Sequence, residues 1–318
     1  MNLHKDYRKE FNELIKIVSD EKHIPEDAVL MDYYIVYMLE KLSNSEYKDL
    51  CVFKGGTSLS KCYPESIERF SQDIDLTYLG MDESDNICEK RIKEIIRIMS
   101  DGFEIRKIKG EGNKRNKSRN VLLERDKEIK LEVGSTIRPE PYGKKKIKTY
   151  IQEFLEKSGN NDDVTTFELN EIEINALNIE RTFIDKTMAV KRHAICGSLV
   201  EKSRHIYDVV RLYQMSEIKE FLRKKEELKR ILALTKNTDS YYLEKREINV
   251  NYNPVGNYDF SSWRNKFDDN VRKKYELLHI GLLFTDEKQD FDLAIKTFMD
   301  IDKIFAEVEN SKDDSYSM

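Results

Sequence analysis

Residues Val52 to Leu76 read VFKGGTSLSKCYPESIERFSQDIDL. A short apolar strand runs into Gly55, Gly56, Thr57 and Ser58, a helix follows, and a second strand presents Asp73 and Asp75. Residues two apart on a strand share a face. The two carboxylates therefore project together, and like charges at that spacing repel unless a cation or a proton is shared between them. A divalent cation is the simplest resolution. The glycine turn, standing at a helix start, offers backbone N–H groups of the kind that suit phosphate oxygens. Phosphate binding beside a metal ion points to nucleotide chemistry.

Composition bounds this reading. A chain of 318 residues is long enough for two domains, each with its own core. With 39% hydrophobic and 36% charged residues it has the balance of a soluble globular protein, and only five prolines and twelve glycines interrupt it, which favours long helices. The longest apolar runs fall far short of the ~20 residues a membrane helix needs. The opening MNLHKDYRKEF lacks the apolar core of a signal peptide, so the expectation is a cytoplasmic protein without membrane attachment. Cys51, Cys62, Cys88 and Cys196 show neither C-x-x-C spacing nor a histidine pair at ligand spacing; they read as structural thiols. A net charge of −5 argues against indiscriminate coating of nucleic acid but leaves room for local basic patches.

Helical spacing of apolar residues predicts helices over 6–19 and 27–42, the second started by Pro25 and Glu26, and another over 84–100. Phe103–Ile108, Val121–Glu124 and Ile129–Val133 read as strands. Beyond Tyr150 the pattern is helical, at 147–157, 179–195, 202–214, 216–234, 262–280 and 288–309, with no return of strands. The expectation is an α+β protein: a small mixed sheet with flanking helices, then a mostly helical C-terminal domain, the boundary lying near residue 175. The polar tail NSKDDSYSM is expected to lack fixed structure.

Other groups bear on chemistry. Glu132, in KLEV, shares a strand face with Lys130; it reads either as a third metal carboxylate beside Asp73 and Asp75 or as an outward-facing partner of Lys130. In SRHIYDVVRLY, Asp208 stands beside the apolar positions Ile206, Val209, Val210 and Tyr213, where an unpaired carboxylate is costly; Lys186, in the preceding helix, is a candidate partner. Lys107 to Asn120 holds six Lys or Arg against one Glu, and Arg138 to Lys148 five against one. Such runs are commonly solvated loops, yet both flank the strands around Glu132, where an acceptor's phosphate backbone would approach. Tyr241, Tyr242, Tyr252, Tyr258 and Trp263 read as core before base-stacking groups, and His193 and His205 as structural or solvent-facing.

The segments HIPEDAVLMDYYIVYMLEKL, FKGGTSLSK, RFSQDIDL, KLEVG, ERTFIDKTMAVKRHA and SRHIYDVVRL, spread over roughly residues 20 to 215, resemble the AbiEii/AbiGii toxin family. These are nucleotidyltransferase-like toxins of abortive-infection, phage-defence toxin–antitoxin systems. The resemblance implies a polymerase-β-type catalytic domain over 1–175 and a helical domain over 176–318 that contributes Lys186 and Asp208. It implies that Asp73 and Asp75 bind Mg²⁺, with Glu132 as a less certain third ligand, and that Gly55, Gly56, Thr57 and Ser58 with Lys186 hold an NTP. Asp208 would orient Lys186 or assist the acceptor proton. The superfamily's usual Gly-Ser dipeptide with a short gap to the carboxylates is here Gly-Gly-Thr-Ser, with sixteen residues between Gly56 and Asp73; AbiEii-like chains share that spacing. The implied acceptor is RNA, transfer RNA first, and the implied partner a separately encoded antitoxin. A monomer is the default. Competing readings are a nucleotide-binding interaction module without turnover, and a transferase that modifies itself, for example at Ser58, or a partner protein.

Overall fold

Alternation in DIDLTY sets the centre of the sheet. In the computed structural model, which describes residues 1–108, 110, 112–244, 248 and 250–310, β1 (Cys51–Lys54) leads through the helix Gly55–Cys62 to β2 (Asp73–Tyr78), which returns antiparallel beside it. Strands β3 (Ile105–Lys107), β4 (Asn116–Leu122), β5 (Glu128–Gly134), β6 (Tyr142–Ile147) and β7 (Ile172–Leu177) complete the order β3-β4-β5-β2-β1-β7-β6. The β2–β5 and β1–β7 pairings are parallel and the others antiparallel, so the sheet is mixed and the fold is α+β. The chain forms two units. The sheet unit comprises Met1–Pro64 and Phe70–Asn178; the helical unit comprises Glu65–Arg69 and Ile179–Met318.

One face of β2 and β5 is apolar. Ile74, Leu131 and Val133 are fully buried and Leu76 nearly so, while Asp73, Asp75, Lys130 and Glu132 alternate with them and stay half-buried on the other face. A slip of one residue would exchange the two sets and forfeit about 1.5–3 kcal/mol for each large side chain brought out of the core. The amphipathic helix Asp85–Met99, capped where Ser84 Oγ accepts from Ile87 N, packs on β4 and β5 through Cys88, Ile92, Ile95, Ile96 and Met99. The helix Glu26–Ser43 is buried along nearly its whole length. From it Asp32 reaches Lys61 Nζ at 2.6 Å and accepts from Tyr150 N at 2.7 Å, which anchors the glycine helix and the start of the helix Tyr150–Lys157 to one carboxylate.

Several expectations change. Strands do return after Tyr150: β7 runs parallel to β1, its Ile172, Ile174, Ala176 and Leu177 buried. The basic run before it is no loop. Residues 142–147 form the edge strand β6, with Lys144 and Lys146 exposed in alternation and paired to Asp49 and Glu171. The other basic run contains most of β4, and Lys109 and Glu111 within it lie outside the described residues, as does the tail beyond Asn310. The helix expected over 262–280 is instead two short helices, Phe260–Trp263 and Asp269–Glu276, because Asp268 caps the second through Asn270 N and Val271 N.

In the helical unit, Tyr258, Phe260, Trp263, Phe267, Phe298 and Phe305 form an aromatic core, and Trp263 Nε1 donates to Tyr258 O at 2.7 Å. These rings are core, whereas Tyr241 and Tyr242 are exposed. Among the described residues no helix is long and apolar enough to cross a membrane.

Because burial pushes the Asp32 carboxyl up while Lys61 opposes that shift, loss of the carboxylate would strand a buried ammonium. Asp32→Ala is expected to lower stability by about 3–5 kcal/mol, read as an earlier urea midpoint with an unchanged slope.

Candidate active site

The sheet unit gathers Asp73, Asp75 and Glu132 on one face. Because β2 lies antiparallel to β1 and parallel to β5, Asp75 is in register with Lys54 on one side and Glu132 on the other, and Asp73 is in register with Lys130. Lys130 Nζ lies 2.5 Å from Glu132 Oε1, and Ser118 Oγ donates to the same oxygen at 3.2 Å. Both earlier readings of Glu132 thus have a physical counterpart: it is paired to Lys130 and it faces Asp75.

Gly55 opens the helix at φ +85°, a conformation that costs other residues about 1–3 kcal/mol. A Cβ there would collide with Asp75 Oδ2 and stand 3.1 Å from its Cγ. Only glycine admits the carboxylate so close to the backbone. Thr57 and Ser58 turn inward instead of toward a ligand: Thr57 Oγ1 donates to Asp73 O at 2.5 Å and lies 2.9 Å from Ser71 Oγ, while buried Ser58 donates to Phe53 O at 3.3 Å. Their hydroxyls brace the two strands, and the self-modification reading is left without an exposed acceptor at Ser58.

The electrostatics follow from crowding. Burial first, against the pull of Lys54, and then Glu132 and Asp73 push the Asp75 carboxyl up to about 7. Burial also works to raise Glu132, but hydrogen bonds with Lys130 and Asp75 and the charge of Lys130 hold it below its usual range. Without a cation, the pair meets its repulsion by keeping a proton on Asp75. Oxygen-only donors around a site that retains a proton are the chemistry of a hard divalent ion. Among the described residues no group of three or more His, Cys, Asp or Glu is already arranged around a metal position; Lys130 occupies part of the acidic cluster's capacity.

Lys186 and Asp208 belong to the helical unit. The helix Ser203–Gln214 buries Asp208 completely, where Arg69 holds it in a fork, Nε to Oδ1 at 2.6 Å and Nη2 to Oδ2 at 2.8 Å. Lys186 Nζ, from the helix Ile179–Ile195, is 2.9 Å from Oδ2. Burial would raise the Asp208 carboxyl, but Arg69 and Lys186 keep it well below the usual carboxylate range. Lys186 is the partner that sequence reading anticipates; Arg69 is the one it misses. The available signal is an arginine directly before the apolar Phe70 in the carboxylate motif. His205 also moves from its expected role: Nδ1 lies 3.2 Å from Lys186 Nζ, and its ring stacks on His193 at 5.9 Å.

A family model for "Nucleotidyl transferase AbiEii toxin, Type IV TA system" matches residues 37–297. Among solved structures, the chain is similar to MenT4, a nucleotidyltransferase toxin from Mycobacterium tuberculosis H37Rv, with 18% identity, 93% of this chain and 97% of that chain covered, and a TM-score of 0.49. It is also similar to a putative nucleotidyltransferase from H. pylori, with 15% identity, 91% and 99% covered, and a TM-score of 0.44. No curated protein matches the chain.

Two outcomes test this geometry. Gly55→Ala should lower the melting temperature, by about 1–3 kcal/mol of stability from the left-handed backbone alone, with Asp75 displaced in a crystal structure. In metal-free protein, folded Asp75 holds a proton between its ordinary range near pH 4 and about pH 7, where the unfolded chain does not. Its contribution to stability is therefore complete below that window and lost as pH rises through 7. Asp75→Asn should flatten this part of the pH–melting profile.

Proposed function

This chain belongs to the AbiEii family of nucleotidyl transferase toxins of type IV toxin–antitoxin systems, and on that premise we propose that it transfers a nucleotidyl group from an NTP to an RNA acceptor, transfer RNA first, in an Mg²⁺-dependent reaction serving phage defence. Its enzymatic class, nucleotidyltransferase, and the existence of a separate antitoxin follow from the family. Action as a cytoplasmic monomer is part of the proposal. The observation that carries it is Asp75, held against Gly55 at a helix start and crowded by Glu132 and Asp73 until it keeps a proton.

Asp73 and Asp75 are the residues proposed to hold the metal, with Glu132 able to join them once released from Lys130. A bound divalent ion supplies charge neutralisation on the triphosphate and polarises its α-phosphorus. The amide groups at Gly55 and Gly56 orient phosphate oxygens. In the transfer, the acceptor hydroxyl oxygen forms a bond to the α-phosphorus as the bond to the pyrophosphate leaving group breaks, and the hydroxyl proton passes to solvent or a carboxylate. Lys186 is proposed to meet the negative charge of the phosphates. Both oxygens of Asp208 are already engaged by cations, which supports an orienting role over proton abstraction.

The RNA reading draws on local charge. Arg115 is consumed by Asp85 and by the carbonyls of Gly80, Met81 and Glu83, and Lys117 by Glu89 and Asn113 O, so they brace the fold. Lys107 and Arg119, by contrast, line an open groove of about 480 Å³ with Phe103 and Ile105.

Incubation with each labelled NTP and total RNA should label RNA with at least one nucleotide, and Asp73→Asn and Asp75→Asn should each reduce transfer by about 10²-fold or more while the proteins stay folded. Nucleotide binding without product for every NTP would sink the transferase assignment in favour of a binding module. Since a cation must displace the Asp75 proton, Mg²⁺ affinity should rise from pH 6 to 8, with proton release visible by calorimetry in buffers of different ionisation enthalpy. A pH-independent affinity would remove Asp75 from the metal set.

A further inference from the structure

Two cations, Arg69 and Lys186, are buried against the single carboxylate of Asp208, with exposures of 1%, 8% and 0%. Buried charge is costly unless matched, so the cluster carries a surplus positive charge that an anion would neutralise. The surplus has a direction. An ammonium has three N–H donors; Lys186 directs one to Asp208 Oδ2 at 2.9 Å and one to His205 Nδ1 at 3.2 Å, and no further acceptor for it is found among the described residues. Since lysine only donates, His205 Nδ1 accepts, which puts the ring proton on Nε2.

His205 is itself fixed. It precedes Asp208 by one helical turn, so the two reach the same ammonium from one helix. On the facing helix, Lys186 and His193 lie two turns apart, and His193 stacks almost parallel to the His205 ring, at 12°, while its own Nδ1 lies 2.9 Å from Ser198 Oγ. Burial and the charge of Lys186 pull the His205 imidazole down to about 3, so it remains a neutral acceptor throughout the physiological range. A charged ring there would repel the lysine.

We propose that His205 is a positioning residue for the transferase reaction: with Asp208 it takes two N–H groups of Lys186 and leaves the third aimed at a phosphate oxygen of the NTP. The inference rests on the nucleotidyl-transfer reading above. It assigns to the helical unit a triphosphate-binding function in which a histidine sets the direction of a lysine.

His205→Phe keeps a ring to stack on His193 and removes the acceptor; His205→Asn restores an acceptor near the Nδ1 position. Calorimetric titration with each NTP, and with the matching nucleoside monophosphate, reads the effect directly. The expected result is about a tenfold weaker NTP affinity in His205→Phe, a matching rise in KM with a smaller change in kcat, little change for the monophosphate, and recovery to within about threefold in His205→Asn. Unchanged NTP affinity in His205→Phe overturns the proposal, as does an equal loss in both variants that tracks only their melting temperatures. NTP binding by the wild-type protein without transfer would sink the transferase reading alone, and the affinities would still decide the role of His205. Failure of the wild-type protein to bind any NTP would overturn both.

Discussion

Lys54, Asp75 and Glu132 form one rung across three neighbouring strands, and the rest of the sheet's polar face depends on that registration. The rung exists because Ile74, Leu76, Leu131 and Val133 bury the opposite face. Hydrophobic burial holds the strands in register, and register in turn forces carboxylates together against their mutual repulsion. The resulting tension is local and is met by a retained proton, by Lys130 and by Lys54. Gly55 completes the arrangement from below, since no other residue leaves room for the Asp75 carboxylate at a helix start.

Much of this central unit was legible in the sequence because its signals are local. Twenty-five residues hold the strand, the glycine pair, the helix and the alternating carboxylates, and period-2 patterning suffices to put Asp73 and Asp75 on one face. Strand β7 was not legible, since Asn175 and Glu173 interrupt its apolar residues and its strand character comes from pairing with β1 and β6. The lysines of β6 concealed an edge strand in the same way. Arg69 is a failure of a different kind: its carboxylate lies 139 residues away, and no periodicity reports so distant a pairing. His205 looked idle because only metal coordination was asked of it.

The helical unit repeats one device. Asp208 gathers Arg69 and Lys186, and Asp239, equally buried, gathers Lys191 and Arg192 while accepting from Gly256 N. Lys191 also donates to the carbonyls of Pro254 and Asn257. The difference is one of completion. Around Asp239 the lysine's three donors are all engaged by protein acceptors, as in a structural anchor, whereas Lys186 meets two. A buried hub with every donor matched stabilises a loop; one with a donor to spare has capacity for a ligand.

Both ends of the sheet carry cations, Arg106 and Lys107 on β3 and Lys144, Lys145 and Lys146 on β6. An open edge exposes unpaired backbone groups to any strand that meets it, including the same strand of another molecule, and rows of lysine make that meeting repulsive. The charge that disguised β6 as a loop therefore also guards against polymerisation, letting the protein accumulate as separate molecules despite an unclosed sheet.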